Sequence, residues 1–347
     1  MIKNMKKIIS ILLVIVTAAT LVSCGLRDDV AEGAGRVQNT AQAPSTAPSA
    51  ATGTSKPTAS ETKTEPAPVP TGKATYSGTE AGGDLVYTTF LGNKITDFSF
   101  LDGLSKNFFS DTGDLENGSW YCGKTVRDDA GNVTVVMERA ADVLDAIDRF
   151  GAIYRKNEDK KIVYFTFDCG YETGYTGQIL DILKEKDVRG AFFLNGQYIK
   201  SAPELVKRML DEGHIVGNHG NNHQVPAKLP IEEVFYEIES NNELLQEAVP
   251  GAPYMRYFRP AYGSCSAWDM ALVQKMDLTE VLYSWTYYDY DPDDQADPAE
   301  ALAKAKEGLH NGSVLMFHTV GSTNVQMLGD FIDYIRAEGF EIGCIDE

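Results

Sequence analysis

The sequence predicts an α/β fold built on a parallel sheet, and three observations carry that reading. Ile162, Val163, Phe165 and Phe167 form a short, nearly continuous run of β-branched and aromatic residues, as in a strand buried on both faces. From there strand-like and helix-like patterns alternate to the C-terminus, which implies parallel strands joined by helical crossovers. The alternation supplies seven strand candidates, enough to close or nearly close a barrel. An open, doubly wound sheet fits the same alternation, and periodicity does not choose between the two.

The 347 residues do not all belong to that fold. Lys3, Lys6 and Lys7 precede an apolar run from Ile8 to Val16, followed by the small residues Thr17 to Thr20 and by Leu21-Val22-Ser23-Cys24. A basic start, a short apolar centre and a small-residue end make an export signal. The apolar run is shorter than the roughly 20 residues of a membrane span. Leu21 to Cys24 resembles the lipobox of bacterial lipoproteins, in which the cysteine is lipidated and becomes the new N-terminus. Residues 1–24 are therefore expected to be a signal peptide ending at Cys24, and the mature protein an extracytoplasmic lipoprotein held at the membrane through that residue. Residues 25–83 collapse to Ala, Ser, Thr, Pro, Gly and Glu. So few large apolar side chains cannot offset the entropy of ordering, and a disordered tether is expected.

The net charge is −19, and residues 1–80 carry +2, which leaves −21 on the remainder. A surface that acidic argues against nucleic acid or anionic lipid as a partner. Besides Cys24 the cysteines are Cys122, Cys169, Cys265 and Cys344, none in a CxxC pair, and their spacing gives no connectivity.

Residues 84–160 read as an N-terminal extension packed on the main domain. Up to about residue 135 it is irregular, with apolar pieces such as Leu85 to Phe90 and Phe98 to Leu101 broken by Asp, Gly and Asn. Val143, Leu144, Ile147 and Phe150 then repeat at helical spacing, so a helix over 137–150 leads into the first strand. Beyond it, in residues 161–347, strands are predicted at Ala191 to Leu194, Ile215 to Asn218, Tyr257 to Arg259, Val281 to Trp285, Ser313 to Phe317 and Phe340 to Cys344. Helical patterns start near Tyr175 and fall at Pro203 to Leu210, Ile231 to Ala248, Ala267 to Met276, Pro298 to Leu309 and Val325 to Arg336.

Chemistry-bearing residues gather at the strand ends. The first strand stops on Asp168, and an acid at the C-terminal end of a strand lies where α/β folds collect catalytic groups. His219 and His223, in NHGNNH, are four apart after a strand and can share one metal ion. Arg259 ends another strand, Asp291 follows one and His318 ends one. A carboxylate base, a guanidinium to hold it, a metal pair and a lone histidine form a set for metal-assisted hydrolysis of an amide or ester. The plainer alternative is a structural Asp168–Arg259 ion pair with His318 a core histidine. His214 reads as structural and His310 as a surface residue of the preceding helix.

TFDCG, HGNNH, FRPAYG, the Trp285 to Asp291 stretch and LMFHT resemble, in order, the five motifs of the polysaccharide deacetylase family with the NodB-type homology domain, carbohydrate esterase family 4. DCGYETGYT and FHTVGSTNVQML are similar to its muramic acid, delta-lactam-forming branch, which acts on peptidoglycan. The resemblance implies a deformed (β/α) barrel of seven to eight strands with the site at the strand C-terminal ends. It also implies roles. Asp168 is the general base, His219 and His223 hold a divalent metal, zinc first, and Arg259 orients Asp168. The backbone N–H of Tyr262 helps bind the oxyanion, and His318 protonates the leaving amine with Asp291 tuning it.

Three residues depart from the pattern. Cys169 stands where a second aspartate usually ligates the metal; it either coordinates as a thiolate, plays no part, or forms a disulfide with Cys265. Pro292 replaces a tryptophan, leaving Tyr287, Tyr288 or Tyr290 to supply an aromatic wall, and Gly220 replaces the Ser or Thr that would steady the ligand loop. The expected function is N-deacetylation of a cell-wall amino sugar, muramic acid in peptidoglycan first. The alternatives are N-acetylglucosamine in peptidoglycan or another glycan, and a glycan-binding lipoprotein without catalysis.

Overall fold

The computed structural model describes residues 75–79, 85–106, 124–129, 133–136 and 141–347. The expected export signal, lipidated Cys24, most of the tether and Cys122 lie outside the described residues.

The N-terminal part is more regular than its sequence suggests. Strands β1 (Thr75–Thr79), β2 (Leu85–Thr88) and β3 (Lys94–Ile95) form an antiparallel sheet, and β4 (Lys124–Arg127) pairs antiparallel with β5 (Val133–Val136). Strands of two to five residues between Gly, Asp and Asn breaks carry too little alternation to be read in advance. β1 falls inside the stretch that composition assigns to the tether, its Tyr76 opposite Tyr87. Helix α1 (Ala141–Phe150) follows, as expected.

The main domain alternates as the sequence predicts. In order come β6 (Ile162–Cys169), α2 (Thr176–Glu185), β7 (Ala191–Leu194), α3 (Gly196–Ser201), α4 (Pro203–Asp211) and β8 (Ile215–Asn218). Then come α5 (Ile231–Ala248), β9 (Tyr257–Phe258), α6 (Ala267–Lys275) and β10 (Thr279–Glu280). The chain ends with α7 (Pro298–Glu307), β11 (Ser313–His318), α8 (Ser322–Ala337) and β12 (Glu341–Gly343). Every α-helix of this part was expected except α3, a six-residue turn of helix whose N-cap Asn195 accepts from the Tyr198 N–H at 2.9 Å.

All seven main-sheet strands run parallel, six of them in the order β10-β9-β8-β7-β6-β11 and the seventh, β12, beside β6. β6 is central. β11 pairs along one edge of it, while β7 takes the C-terminal half and β12 the N-terminal half of the other. The sheet curls. The strand expected at 281–285 is not formed: β10 ends at Glu280, and the residues after it make only isolated bridges, Val281 with Ile153 and Trp285 with Leu315, the second of which joins this extension to β11. That draws the free edges together and gives a barrel-like architecture rather than an open sheet.

Period-2 alternation divides β6 between two cores. Val163, Phe165, Phe167 and Cys169 face outward onto α2 and α8, packing with Ile179, Leu183, Phe331 and Ile335. Tyr164 faces inward, with Phe193, Val314 and Met316. Phe165 and Phe167 stack on Phe317 and Phe192 at centroid separations of 5.9 and 4.7 Å. Each such buried ring contributes about 1.5–3 kcal/mol. A third core, in which Tyr87, Phe90, Ile95 and Leu101 meet Phe235 and Ile238 of α5 and Met276 after α6, seats the extension on the barrel.

Candidate active site

Parallel register builds the site. Asp168 at the end of β6 stands opposite His318 at the end of β11 and Phe193 of β7, on the inner face. Arg259, just past β9, lies fully buried above the Phe193 ring, 4.1 Å from its centroid. Its Nη1 donates to Asp168 Oδ1 at 2.7 Å, its Nε to the Val281 carbonyl at 2.9 Å and its Nη2 to the Leu282 carbonyl at 3.1 Å. The guanidinium is thus fixed by the strand extension as well as by the carboxylate. Burial alone would raise the Asp168 pKa, but Arg259 first, with His219 and His318, outweighs it and holds the carboxyl below its usual 3.8.

His219 follows β8. Its Nδ1–H donates to the Arg259 carbonyl at 2.8 Å, which fixes the ring and leaves Nε2 as a lone-pair donor aimed at the site. That Nε2 is 3.2 Å from His223 Nε2 and 3.7 Å from Asp168 Oδ2. Burial, with the neighbouring ring, pushes His223 down to about 3, and burial lowers His219 too, so both imidazoles are neutral at physiological pH. Two nitrogens bound to one tetrahedral ion at roughly 2.0–2.1 Å stand about 3.3–3.4 Å apart, so the donor pair suits a single metal. Among the described residues no group of three or more His, Cys, Asp or Glu has the disposition of a closed metal cage.

His318 is the opposite case. Burial would lower it, but Asp289 outweighs that and raises its pKa above 6.5. Asp289 Oδ1 accepts from His318 Nδ1–H at 2.7 Å, and Oδ2 accepts from the His318 backbone N–H at 2.8 Å and from Asn324 Nδ2 at 2.7 Å. Asn324 also donates to the His318 carbonyl and accepts from Tyr287 OH, both inside 3 Å. This corrects the expected tuning residue: it is Asp289, not Asp291. In YYDYD, Tyr288 and Tyr290 are exposed, so Tyr287 and Asp289 turn inward, while Asp291 closes a local turn by accepting from the Asp293 N–H at 2.9 Å. Nothing in the sequence separates the two acids, because the direction each takes depends on the packing of Tyr287 against Phe317.

Of the three readings left open for Cys169, the structure agrees with the one in which it plays no part. One residue beyond Asp168, it points to the opposite face, into the outer core, where Thr319 Oγ1 reaches its sulfur at 3.5 Å. It is a free, buried thiol whose pKa burial drives strongly upward, so it is neither a thiolate aimed at the histidines nor half of a disulfide with Cys265. His310 is not a surface residue: it is buried, with Nδ1–H donating to the Gly308 carbonyl at 2.7 Å and Nε2 bonded to Ser284 Oγ at 2.9 Å. His214 is structural as read, accepting the Gly190 N–H at Nδ1.

These groups open on one cleft of about 620 Å³. Asp168, His219, His223 and His318 line it, with Tyr283, Thr286 and Met316 among the other walls. Tyr262 stands at its mouth in a left-handed conformation (φ 59°), its ring 4.7 Å from that of His223. Tyr290, half exposed, lies 5.9 Å from the His318 ring and 4.5 Å from Tyr288, while Tyr287 is tied to Asn324 and packed on Phe317. A carboxylate whose charged form is favoured and an imidazole whose basicity is raised thus face one space beside a pair of neutral imidazoles, as proton abstraction from water and proton donation to a leaving group require.

Known proteins resemble this chain in sequence and fold. Residues 155–281 match the family model described as polysaccharide deacetylase. The chain is 33% identical over 201 residues to the peptidoglycan-N-acetylmuramic acid deacetylase PdaA of Bacillus subtilis, covering 58% of this chain and 76% of that one. It is 28% identical over 194 residues to the peptidoglycan-N-acetylglucosamine deacetylase of Bacillus cereus, covering 54% and 88% respectively. The structure of Bacillus subtilis PdaA, described as a family 4 carbohydrate esterase, matches with a TM-score of 0.60 at 30% identity, over 66% of this chain and 94% of that one.

Proposed function

This chain belongs to the polysaccharide deacetylase family, and on that premise we propose that it removes the N-acetyl group of N-acetylmuramic acid in peptidoglycan. The products are acetate and a free amine on the sugar. The observation that carries the proposal is one cleft holding both a buried Asp168–Arg259 pair and a His318–Asp289 pair beside His219 and His223.

The residues divide the work. Oδ1 of Asp168 is committed to Arg259, so Oδ2, on the side of His219, takes the proton from the attacking water. Arg259 keeps that carboxylate ionised and in register. His318, across the cleft and with its pKa raised by Asp289, gives its Nε2 proton to the departing amine while Asp289 stabilises the imidazolium. The backbone N–H of Tyr262, at the cleft mouth, is the donor assigned to the carbonyl oxygen as it becomes an oxyanion. His219 and His223 would hold a divalent ion, zinc by the preference of an imidazole pair, whose chemistry there is to polarise the acetyl carbonyl and acidify water. Tyr290 is placed to pack on a sugar ring. Export and lipidation at Cys24 would set this activity outside the cytoplasm, on the membrane face of the wall.

The muramic acid assignment is supported by the name of PdaA and by the branch-like DCGYETGYT and FHTVGSTNVQML segments. N-acetylglucosamine is the second reading, supported by the Bacillus cereus relative. The test is acetate release by the detergent-solubilised full chain from purified peptidoglycan, with the sugars then separated and their free amines located. Free amine on muramic residues is expected. Free amine on glucosamine alone transfers the assignment to the second reading. Binding to peptidoglycan without acetate release under Zn²⁺, Co²⁺ or Mn²⁺ would leave a glycan-binding protein, a role that does not need the two charge-poised pairs.

A further inference from the structure

The NHGNNH segment hangs on α5. Asn218 Nδ2 donates to the Ile238 carbonyl at 2.8 Å, the Asn221 N–H to the Glu237 carbonyl at 3.0 Å and Asn221 Nδ2 to Ser240 Oγ at 2.9 Å. One side chain grips the residues that flank His223. Glu237, buried, accepts the Asn222 backbone N–H on Oε2 at 2.8 Å and Asn222 Nδ2 on Oε1 at 2.6 Å, and Gln224 Nε2 approaches the same Oε1 at 3.5 Å.

The residue between those contacts needs holding. His223 lies at φ 56°, in the left-handed region, and in that conformation its Nε2 faces His219 Nε2 at 3.2 Å. An L-residue keeps such a backbone when its surroundings over-determine it. Gly220 is shaped to the same carboxylate. Its φ is +76°, and a Cβ there would stand 3.2 Å from Glu237 Oε2, so the carboxylate fills the space beside residue 220 that a side chain would take.

We propose that Glu237 is the positioning residue for His223, setting the separation of the two imidazole nitrogens from the α5 side in place of a hydroxyl at residue 220. This rests on the reading of His219 and His223 as metal ligands. Loss of a group that orients a ligand costs roughly 10–100-fold in metal affinity.

The experiment measures Zn²⁺ affinity of the detergent-solubilised full chain by competition with a chromogenic chelator, beside amide hydrogen exchange of the metal-free protein. The variants are Glu237→Ala, Glu237→Gln and Asn222→Ala. Glu237→Ala is expected to bind Zn²⁺ roughly 10–100-fold more weakly, with exchange accelerated across residues 220–224 and unchanged in β6. Gln keeps an acceptor for the Asn222 N–H and can pair with a turned Asn222 amide, so Glu237→Gln should restore most of the affinity. A Glu237→Ala chain that binds Zn²⁺ as tightly as the wild type, or whose exchange rises throughout the fold, overturns the proposal. Should that variant not fold, Asn222→Ala removes only the amide arm, and an unchanged affinity there overturns it equally. If the wild type takes up no Zn²⁺, the metal reading fails and the exchange pattern decides alone: acceleration confined to residues 220–224 upholds the role of Glu237, and its absence refutes it.

Discussion

Replacing Arg259 by methionine isolates the physics on which the site depends. The substitution keeps most of the side-chain volume over Phe193 but removes three donors, leaving Asp168 buried without its partner and the Val281 and Leu282 carbonyls without theirs. Breaking one side of a buried ion pair costs about 3–5 kcal/mol. For a domain of this size each kcal/mol moves Tm by about 2–4 °C, so a fall of about 6–20 °C is expected at neutral pH. The sign of the pH dependence follows from Asp168. Its folded pKa is depressed below 3.8, so the pair stabilises fully above the unfolded carboxyl range and loses that contribution as pH falls through the folded value. In Arg259→Met burial acts without the guanidinium, the carboxyl takes up a proton on folding, and the deficit relative to wild type shrinks toward acid pH. Calorimetry from pH 3 to pH 8 on wild type, Arg259→Met and the double variant Asp168→Asn/Arg259→Met tests this. The double variant should be more stable than Arg259→Met alone, because no unpaired charge remains. A loss below about 1 kcal/mol at pH 7, or a double variant no better than the single one, would refute the claim that a buried, mutually dependent ion pair holds the base.

Three further outcomes are expected. The pH–rate profile of the wild type should rise with ionisation of Asp168 below 3.8 and fall with deprotonation of His318 above 6.5; Asp289→Asn should move the falling limb to lower pH and cut kcat at neutral pH by about 10²-fold or more, while Asp291→Asn leaves both in place. Cys169→Ala should leave metal content unchanged in atomic absorption measurements of purified protein, since the sulfur lies on the outer face; loss of the metal would overturn that placement. Gly308→Ala should lower stability in urea unfolding by about 1–3 kcal/mol or more, because the added Cβ would fall 2.0 Å from the Trp285 ring and that ring cannot move without disturbing Phe317.

Long periodic segments were legible because burial on one face repeats over many residues. The pattern from Ile231 to Ala248 gives the observed span of α5, and the uniformly apolar Ala191–Leu194 gives β7. Two short elements were not: β10 lies just before the span read as a strand, and α3 is held by its Asn195 cap rather than by its own periodicity. The strand-end rule placed Asp168, Arg259, His219 and His318 together because parallel strands deliver their C-terminal residues to one rim. It could not say which acid of YYDYD turns inward, since that depends on how Tyr287 packs on Phe317. Nor could it place His310, which is buried and bonded to Ser284, a residue distant in sequence.

The three departures from the family pattern resolve through neighbours rather than through the residues themselves. Strand parity alone settles the first: Asp168 faces inward, so Cys169 faces outward, and whatever a carboxylate would do at residue 169 has to be done from another element or by solvent. At Gly220 the missing hydroxyl coincides with a carboxylate, Glu237, delivered from α5 into the space the glycine leaves. Beyond Asp291, proline ends the aromatic run, yet Tyr290 already stands at the cleft edge beside His318 while Tyr287 is spent on holding Asn324. In each case the chemistry is set by which atoms reach the cleft, not by which residue type occupies a motif column. The Asp168–Arg259 and His318–Asp289 pairs reach it from four separate segments, so the site depends on the curl of the sheet that brings β9 and β11 toward each other.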